Sequence, residues 1–103
     1  MEQQDKQRLL LLLRQNSSRV RSLGVKRLGL FGSFVRNEQT TESDVDLLVE
    51  FEKDKKSFEN FMGLAFFLED LLNRPVELVT PESVSPYIRP HIMSEVEYVT
   101  LLG

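Results

Sequence analysis

Residues 30–51 read LFGSFVRNEQTTESDVDLLVEF, and the spacing of small and acidic residues in this stretch is the strongest pattern in the chain. An apolar run ends at Gly32 and Ser33. Ten residues follow, and then Asp44 and Asp46 lead into a second apolar run. Residues two apart on a strand point to the same side of a sheet, so these two carboxylates are predicted to lie side by side. Neighbouring acids repel each other, and a bound cation relieves that repulsion.

The two halves of this pattern predict complementary chemistry. A glycine at the end of a strand lets a ligand approach the backbone, and the turn offers N–H groups and the Ser33 hydroxyl to a phosphate. The aspartate pair offers the oxygen ligands that Mg²⁺ takes together with phosphates and water. Each half alone has a simpler interpretation, namely a tight turn capped by serine and an acidic entrance to a strand. When the Gly-Ser turn and the aspartate pair occur together, they favour a site for a nucleoside triphosphate.

Further side chains are candidates for the same site. Glu77 lies in the short run PVELV, where it is predicted to act as a general base if that strand pairs with the aspartate strand. A surface position on an edge strand is the alternative. Arg36, four residues after Gly32, either binds a phosphate as a fixed cation or faces solvent. His91, the only histidine, is interpreted as incidental.

Composition indicates one small globular domain. The 103 residues are 41% hydrophobic and 28% charged, which is ordinary, so residues 1–103 are predicted to form a single domain. The net charge of −3 gives no overall attraction to nucleic acid, and the absence of cysteine excludes disulfides and thiolate metal sites. The longest apolar run, residues 9–13, is too short to cross a membrane and does not resemble a signal peptide, so a cytoplasmic location is predicted.

Hydrophobic periodicity predicts helices alternating with strands. Helices are predicted at residues 3–23 with a weak point at 16–18, at 33–37 with Ser33 as N-cap, at 57–73 and as a turn at 87–93. Strands are predicted at residues 25–31, 45–51 near the sheet centre, and 75–79. Residues 95–101 either form a last strand or continue the helix. The helix at 57–73 is expected to bury Phe58, Phe61, Met62, Ala65, Leu68, Leu71 and Leu72. This order is typical of a layered α/β domain.

The pattern of Gly-Ser, ten residues and Asp-x-Asp resembles the signature of the DNA polymerase β-like nucleotidyltransferase superfamily. The phrases LFGSFVR, SDVDLLVEF and VELVT are more specific. They are similar to those of the minimal nucleotidyltransferases (MNT), stand-alone prokaryotic domains often encoded beside a HEPN protein. The resemblance covers nearly the whole chain and is strongest at residues 28–51 and 75–81. It implies an α/β (α+β) fold with a mixed sheet of three to four strands flanked by helices.

The same resemblance implies roles for the candidate residues. The expected nucleotide-binding residues are Gly32, Ser33 and Arg36, and the expected catalytic and Mg²⁺-binding residues are Asp44, Asp46 and Glu77. Two positions depart from the family pattern: Glu77 stands where members usually have Asp, and Asn37 replaces the glycine of an Arg-Gly-Glu sequence. Glutamate is one methylene longer than aspartate, but it is still an oxygen ligand or base.

The reaction that the resemblance implies is Mg²⁺-dependent transfer of AMP from ATP to a hydroxyl group. The expected acceptor is a tyrosine of a HEPN toxin, which would make the chain an antitoxin. Two alternatives stay open: a non-catalytic antitoxin that masks the toxin by binding, and a small-molecule, aminoglycoside-type nucleotidyltransferase. A domain this small has no room for a separate acceptor-binding lobe, which favours a protein acceptor. The nucleotide base (ATP or another NTP), self-association and the stoichiometry with a partner are also open.

Overall fold

A mixed sheet of four strands forms the centre of the structure, a computed structural model that describes residues 5–102. The helices and strands in chain order are α1 (Lys6–Gln15), α2 (Ser17–Ser22), β1 (Val25–Phe31), β2 (Val45–Phe51), α3 (Phe58–Leu72), β3 (Val76–Val79), α4 (Arg89–Glu95) and β4 (Glu97–Tyr98). Single 3-10 turns follow β1 at Gly32–Phe34 and β3 at Pro81–Ser83.

The strands lie in the order β3-β2-β1-β4, which makes β1 and β2 the interior strands. Strand β2 pairs antiparallel with β1 and parallel with β3, and β4 pairs antiparallel with the other side of β1. A parallel pair needs a crossover connection, and α3 provides it between β2 and β3. The predicted mixed sheet of three to four strands with flanking helices is therefore confirmed, and so is the central position of residues 45–51.

One face of this sheet carries the hydrophobic core. Alternate residues of β2 are fully buried in it, and they pack with buried residues of β1 and of three helices. The main members of the core are Val45, Leu47, Val49, Leu28, Leu30, Leu9, Leu13, Val20, Leu64, Leu68 and Leu72. Because side chains alternate along a strand, the residues between them on β2 point to the other face.

The long N-terminal helix that the sequence predicts is broken into α1 and α2 at Asn16, as the weak point indicated. The Asn16 side chain donates a hydrogen bond to the carbonyl oxygen of Leu12 at 2.8 Å, in competition with regular helix bonding. At the other end, the Asp5 carboxylate caps α1 by accepting a hydrogen bond from the Arg8 N–H at 2.9 Å. The predicted start at residue 3 lies outside the described residues.

The helix predicted at residues 57–73 is confirmed as α3. Ser57 caps its start by accepting a hydrogen bond from the Asn60 N–H at 3.0 Å, and Asn73 ends it in the left-handed conformation with φ 54°. The predicted burial of Phe58 is wrong, because this side chain is 79% exposed. The buried residues of α3 are Leu64, Leu68 and Leu72, which are spaced four residues apart on one face. Phe58 comes six residues before Leu64, and six steps of about 100° place it about 240° around the helix, away from that face.

The helix predicted at residues 33–37 with Ser33 as its N-cap is also wrong. Only a single 3-10 turn forms, at Gly32–Phe34, with Phe31 in the capping position and no capping hydrogen bond from a side chain. The backbone N–H groups of Val35 and Arg36 both bond to the carbonyl oxygen of Gly32, and Asn37 then adopts a positive φ of 58°. A left-handed residue at that position prevents the turn from continuing as a helix.

For residues 95–101 the sequence left open a last strand or a continued helix, and the structure contains part of each. Helix α4 extends to Glu95, two residues beyond the predicted end of the turn at 87–93, and β4 follows at Glu97–Tyr98. Strand β3 begins at Val76 rather than at Pro75, whose nitrogen has no hydrogen to donate. Among residues 5–102, no helix has the length and apolar character needed to cross a membrane.

Candidate active site

The predicted acidic residues gather on the sheet face opposite the core. Asp46 stands between Val45 and Leu47, which both point into the core, so its side chain projects from the other face. In the parallel pair of β2 and β3, Asp46 is directly opposite Glu77. The sequence left open whether the strand of Glu77 lies beside that of Asp46, and the structure places the two carboxyl groups side by side.

The electrostatic consequence is a raised pKa of Asp46. Burial raises this pKa to about 6, and repulsion by Glu77, a hydrogen bond with Glu77 and repulsion by Asp44 act in the same direction. Arg36 lowers the pKa of Asp46, but its influence is the smallest of these. Asp44 itself is exposed and immediately precedes β2. Arg36 therefore neutralises only a small part of the negative charge of Asp44, Asp46 and Glu77.

This donor set fits a hard divalent cation that also binds a ligand. Within residues 5–102, no group of three or more histidine, aspartate or glutamate side chains is arranged to hold a metal ion by itself. Mg²⁺ is usually held by one or two carboxylates, with phosphate oxygens and water completing its coordination. Asp46 and its acidic neighbours offer such carboxylates, and the repulsion by Glu77 and Asp44 that helps to raise the pKa of Asp46 is what a bound cation would relieve. The assignment of Mg²⁺ to Asp44, Asp46 and Glu77 stays a prediction.

The turn after β1 lies directly against the Asp46 carboxyl group. Gly32 has a φ of +80°, and a Cβ atom there would overlap Oδ2 of Asp46 and lie 3.0 Å from its Cγ. Only glycine allows this backbone to approach the carboxyl group so closely. The Ser33 hydroxyl has no hydrogen-bond partner among residues 5–102 and is available to a ligand. The predicted pairing of the Gly-Ser turn with the acidic strand is therefore present in three dimensions.

Arg36 joins the site through a residue that the sequence did not indicate. Its Nη1 atom donates hydrogen bonds to both carboxylate oxygens of Glu95, at 3.1 and 3.0 Å, and its Nε atom donates to Glu38 at 2.9 Å. These hydrogen bonds, first that of Glu38 and then that of Glu95, raise the pKa of Arg36, which is a permanent cation. Glu95 also accepts a hydrogen bond from the Gly32 N–H at 3.2 Å. No local pattern could reveal Glu95, because it lies 63 residues beyond Gly32 in the chain.

Arg74, at the start of the segment that leads into β3, fixes the loop between the Gly-Ser turn and β2. Its guanidinium donates hydrogen bonds to the carbonyl oxygens of Ser43 at 2.9 Å and of Thr40 and Thr41 at 3.3 Å. The same guanidinium lies over the ring of Phe34, 5.2 Å from its centre. The Arg74 guanidinium therefore fixes the position of the 3-10 turn relative to the loop before β2.

We expect the Arg74→Met variant to lose about 1–2 kcal/mol of unfolding free energy and to expose the loop at residues 38–43 to protease. Methionine keeps part of the apolar contact with Phe34 but cannot donate to the three carbonyl oxygens. Thermal unfolding and the rate of cleavage within the loop measure the two effects. Arg21→Met, which removes an exposed arginine from α2, is the matched control. Unchanged cleavage in Arg74→Met would show that the loop is ordered by other contacts.

The residues of the site are suited to binding a polyphosphate beside carboxylates. The Gly-Ser turn offers backbone and hydroxyl donors, Arg36 offers a positive charge, and Asp46 with Glu77 offers paired oxygen atoms. The turn, Arg36 and Asp46 lie at one end of β1 and β2, and Glu77 lies beside Asp46 on β3. The residues that the sequence indicated are thus brought together, with Glu95 and Arg74 as additions.

Comparison with known proteins agrees with this chemistry. The family model described as nucleotidyltransferase domain matches residues 12–99, a span that contains the turn, the acidic residues and the arginines of the site. The chain therefore belongs to the nucleotidyltransferase domain family. Protein adenylyltransferase MntA of Thermococcus cleftensis is 43% identical over 76 residues, which cover 74% of this chain and 76% of that relative.

Solved structures of similar fold are also nucleotidyltransferases of the minimal type. A structure provisionally described as a minimal nucleotidyltransferase has 31% sequence identity and a TM-score of 0.72, covering 94% of this chain and 98% of that chain. The structure of a tri-AMPylated Shewanella oneidensis HEPN toxin in complex with MNT antitoxin matches with 20% identity and a TM-score of 0.56, covering 85% and 71% of the two chains. At that identity the likeness shows the fold alone. The resemblance to the minimal nucleotidyltransferases and the prediction of a nucleotidyltransferase enzyme are confirmed.

Proposed function

We propose that this chain, with the help of Mg²⁺, transfers AMP from ATP to a hydroxyl group of a partner HEPN toxin and so acts as its antitoxin. The observation that carries this proposal is the pair of carboxyl groups of Asp46 and Glu77, held side by side against the Gly32 turn. Acidic residues next to phosphate-binding donors are what a nucleotidyl transfer requires. The raised pKa of Asp46 indicates that these acids are kept together at a cost to the ligand-free fold.

Each residue has a role in this proposal. Gly32 and Ser33 donate hydrogen bonds to the triphosphate, and Arg36 offsets part of its charge. Asp44, Asp46 and Glu77 are the residues that would hold Mg²⁺. When bound, the ion supplies positive charge that offsets the charge of the phosphates and of the departing pyrophosphate.

The proposed transfer forms one bond and breaks another. The acceptor oxygen bonds to the α-phosphorus of ATP. The bond from that phosphorus to the oxygen that bridges the α- and β-phosphates breaks, and pyrophosphate leaves with that oxygen. The proton of the acceptor hydroxyl passes to a carboxylate. Glu77 is the proposed base, because it is exposed on the site face and therefore accessible to an incoming protein. Glutamate in place of the family's usual aspartate extends this base by one methylene toward the acceptor.

A protein acceptor is supported by the relatives. The similar protein of Thermococcus cleftensis is named a protein adenylyltransferase, and a fold relative occurs in a complex whose HEPN toxin is tri-AMPylated. We propose a tyrosine of the toxin as the accepting residue. A masking antitoxin would need no acidic cluster, and an aminoglycoside-type acceptor has no corresponding observation in its favour. The cytoplasmic location and any self-association stay predictions.

Intact mass spectrometry of the product of the neighbouring gene, which this proposal expects to be a HEPN toxin, tests the proposal. The toxin is incubated with this protein, ATP and Mg²⁺, and we expect a gain of one or more AMP units, located on tyrosine by peptide fragmentation. A reaction with EDTA in place of Mg²⁺ is expected to show no gain, and a reaction with GTP in place of ATP determines which nucleotide base the site accepts. A stable complex without any mass gain under all conditions would contradict catalysis and favour the masking antitoxin.

A further inference from the structure

Glu95 occupies the groups that the proposed site offers to a phosphate. Its carboxylate accepts a hydrogen bond from the Gly32 N–H at 3.2 Å and two from Nη1 of Arg36 at 3.1 and 3.0 Å. The Glu95 side chain is only 15% exposed, and its carboxylate faces these donors. The glutamate thus connects the end of α4 with the turn after β1.

A carboxylate and a phosphate compete for such donors because both are anionic oxygen acceptors of similar geometry. An arginine binds either of them by charge-assisted hydrogen bonds, and a single backbone N–H donates fully to only one strong acceptor. A bound Glu95 also leaves Arg36 with less positive charge for a ligand. In addition, it places a carboxylate on the Gly32 turn, which also lies against Asp46 and where a triphosphate must bind.

We propose that Glu95 is an internal competitor of the nucleotide, which holds the Gly32 N–H and Arg36 in the ligand-free protein and releases them when a triphosphate binds. This inference rests on the proposed function of the site. It assigns Glu95 a role in setting nucleotide affinity, with no part in the transfer itself.

The release requires a movement of the side chain only. The neighbouring residue, Val96, lies so close over Gly29 of β1 that a Cβ atom on Gly29 would overlap it, and the Val99 N–H bonds to the carbonyl oxygen of Leu28 at 2.8 Å. The backbone on the C-terminal side of Glu95 is therefore fixed to the sheet. The glutamate side chain has three rotatable bonds and lies at the end of α4, so it can turn toward water while α4 and β4 stay in place.

The opposite interpretation makes an opposite prediction. If Glu95 serves to hold Gly32 and Arg36 in position for the nucleotide, removing its charge must weaken binding. If it competes with the nucleotide, removing its charge must strengthen binding. The direction of the change in affinity therefore distinguishes a positioning residue from a competitor.

Calorimetric titration with AMP-PNP and Mg²⁺ provides the test. We expect Glu95→Gln to bind the analogue about tenfold more tightly than wild-type protein, because glutamine makes weaker, uncharged hydrogen bonds to both donors. The matched control is Glu38→Gln, which removes the other carboxylate on Arg36 but no contact of Gly32. Glu38 is 65% exposed, so this control is expected to change the affinity less than threefold.

The outcomes separate this inference from the proposed function. Equal or weaker binding by Glu95→Gln, with normal binding by wild-type protein, overturns the competitor and leaves the proposed function intact. Failure of both proteins to bind AMP-PNP overturns both. Binding by Glu95→Gln where wild-type protein shows none supports the competitor in its strongest form.

A second measurement uses wild-type protein and does not depend on the folding of a variant. The side-chain carboxyl carbon of Glu95 and the backbone amide of Gly32 are followed by NMR during a titration with AMP-PNP and Mg²⁺. We expect the Glu95 signal to move toward the position of an exposed glutamate as the Gly32 amide shifts. A Glu95 signal that stays unchanged when the site is saturated contradicts its release.

Discussion

The Asp46→Asn variant is expected to lose AMP transfer by at least about 100-fold, and yet its metal-free form is expected to unfold at a higher temperature than wild-type protein at pH 7.5. Both effects have the same cause. Burial, Glu77 and Asp44 raise the pKa of Asp46 to about 6, so the ionised carboxylate that the reaction requires opposes folding. Asparagine has nearly the same shape without the charge, and it therefore removes the catalytic group and the repulsion together.

The expected stability gain depends on pH. Well below pH 3.8, Asp46 is protonated in both the folded and the unfolded chain, and its raised pKa has no effect on stability. Between its ordinary pKa of 3.8 and the folded value of about 6, the folded protein binds more protons than the unfolded chain, so stability falls as pH rises. Above pH 6 the whole cost is present. With allowance for solvent screening at this partly exposed site, it is about 1–2 kcal/mol.

Thermal unfolding in EDTA at pH 7.5 and at pH 4 measures this difference. We expect Asp46→Asn to unfold roughly 5–10 °C above wild-type protein at pH 7.5 and at nearly the same temperature at pH 4. Asp70→Asn, which removes an exposed carboxylate from α3, is the control and is expected to match wild-type protein at both pH values. A less stable Asp46→Asn at pH 7.5 would mean that the carboxylate is held by a favourable contact, contrary to this account.

The strands that carry the site could be predicted closely, because their limits depend on local chemistry. Strand β1 has the predicted bounds, and it lies between Gly24 and Gly32, which both have positive φ values. Strand β2 has the predicted bounds as well, since a polar loop precedes its apolar run and a charged turn follows it. Such limits are set by neighbours in the chain, and periodicity detects them.

The contact between Asp46 and Glu77 could be predicted only on the condition that their two strands are neighbours in the sheet. Each acid was identified from its apolar surroundings, but their contact requires β2 and β3 to pair in one particular parallel register. The two strands are separated in the chain by α3, so their register depends on tertiary packing. A shift of one residue would place Glu77 on the core face.

The contacts of Glu95 and Arg74 could not be predicted, because they are made with distant backbone groups. Glu95 accepts from the N–H of Gly32, and Arg74 donates to carbonyl oxygens of the loop before β2. Every residue has such backbone groups, so no residue type marks the partner in the sequence. The positions of these groups follow from the path of the turn and of the loop after it. A helix capped by Ser33 was predicted wrongly for residues 33–37, where the turn lies.

The second large effect is expected for Gly32→Ala, which should lower the unfolding free energy by about 2–4 kcal/mol and AMP transfer by about 100-fold. Two costs add together. Alanine is disfavoured at a φ of +80°, and its Cβ atom would overlap the Asp46 carboxyl group, with the Asp46 Cβ only 3.2 Å away. Because Asp46 lies on an interior strand, the turn has to move instead. That movement displaces the phosphate-binding groups from the carboxylates, which is why activity falls as well as stability.

Gly63→Ala is the matched control for this substitution, since it adds the same methyl group in a different backbone conformation. Gly63 lies within α3, and a Cβ atom there would make an ordinary contact at 3.5 Å with Leu23. Alanine in a helix interior is favoured over glycine, so this variant is expected to gain about 0.5–1 kcal/mol and to keep full activity. Urea unfolding and the mass-spectrometric transfer assay compare the two variants directly. If Gly32→Ala behaved like Gly63→Ala, the close approach of the turn to Asp46 could not be a requirement of the site.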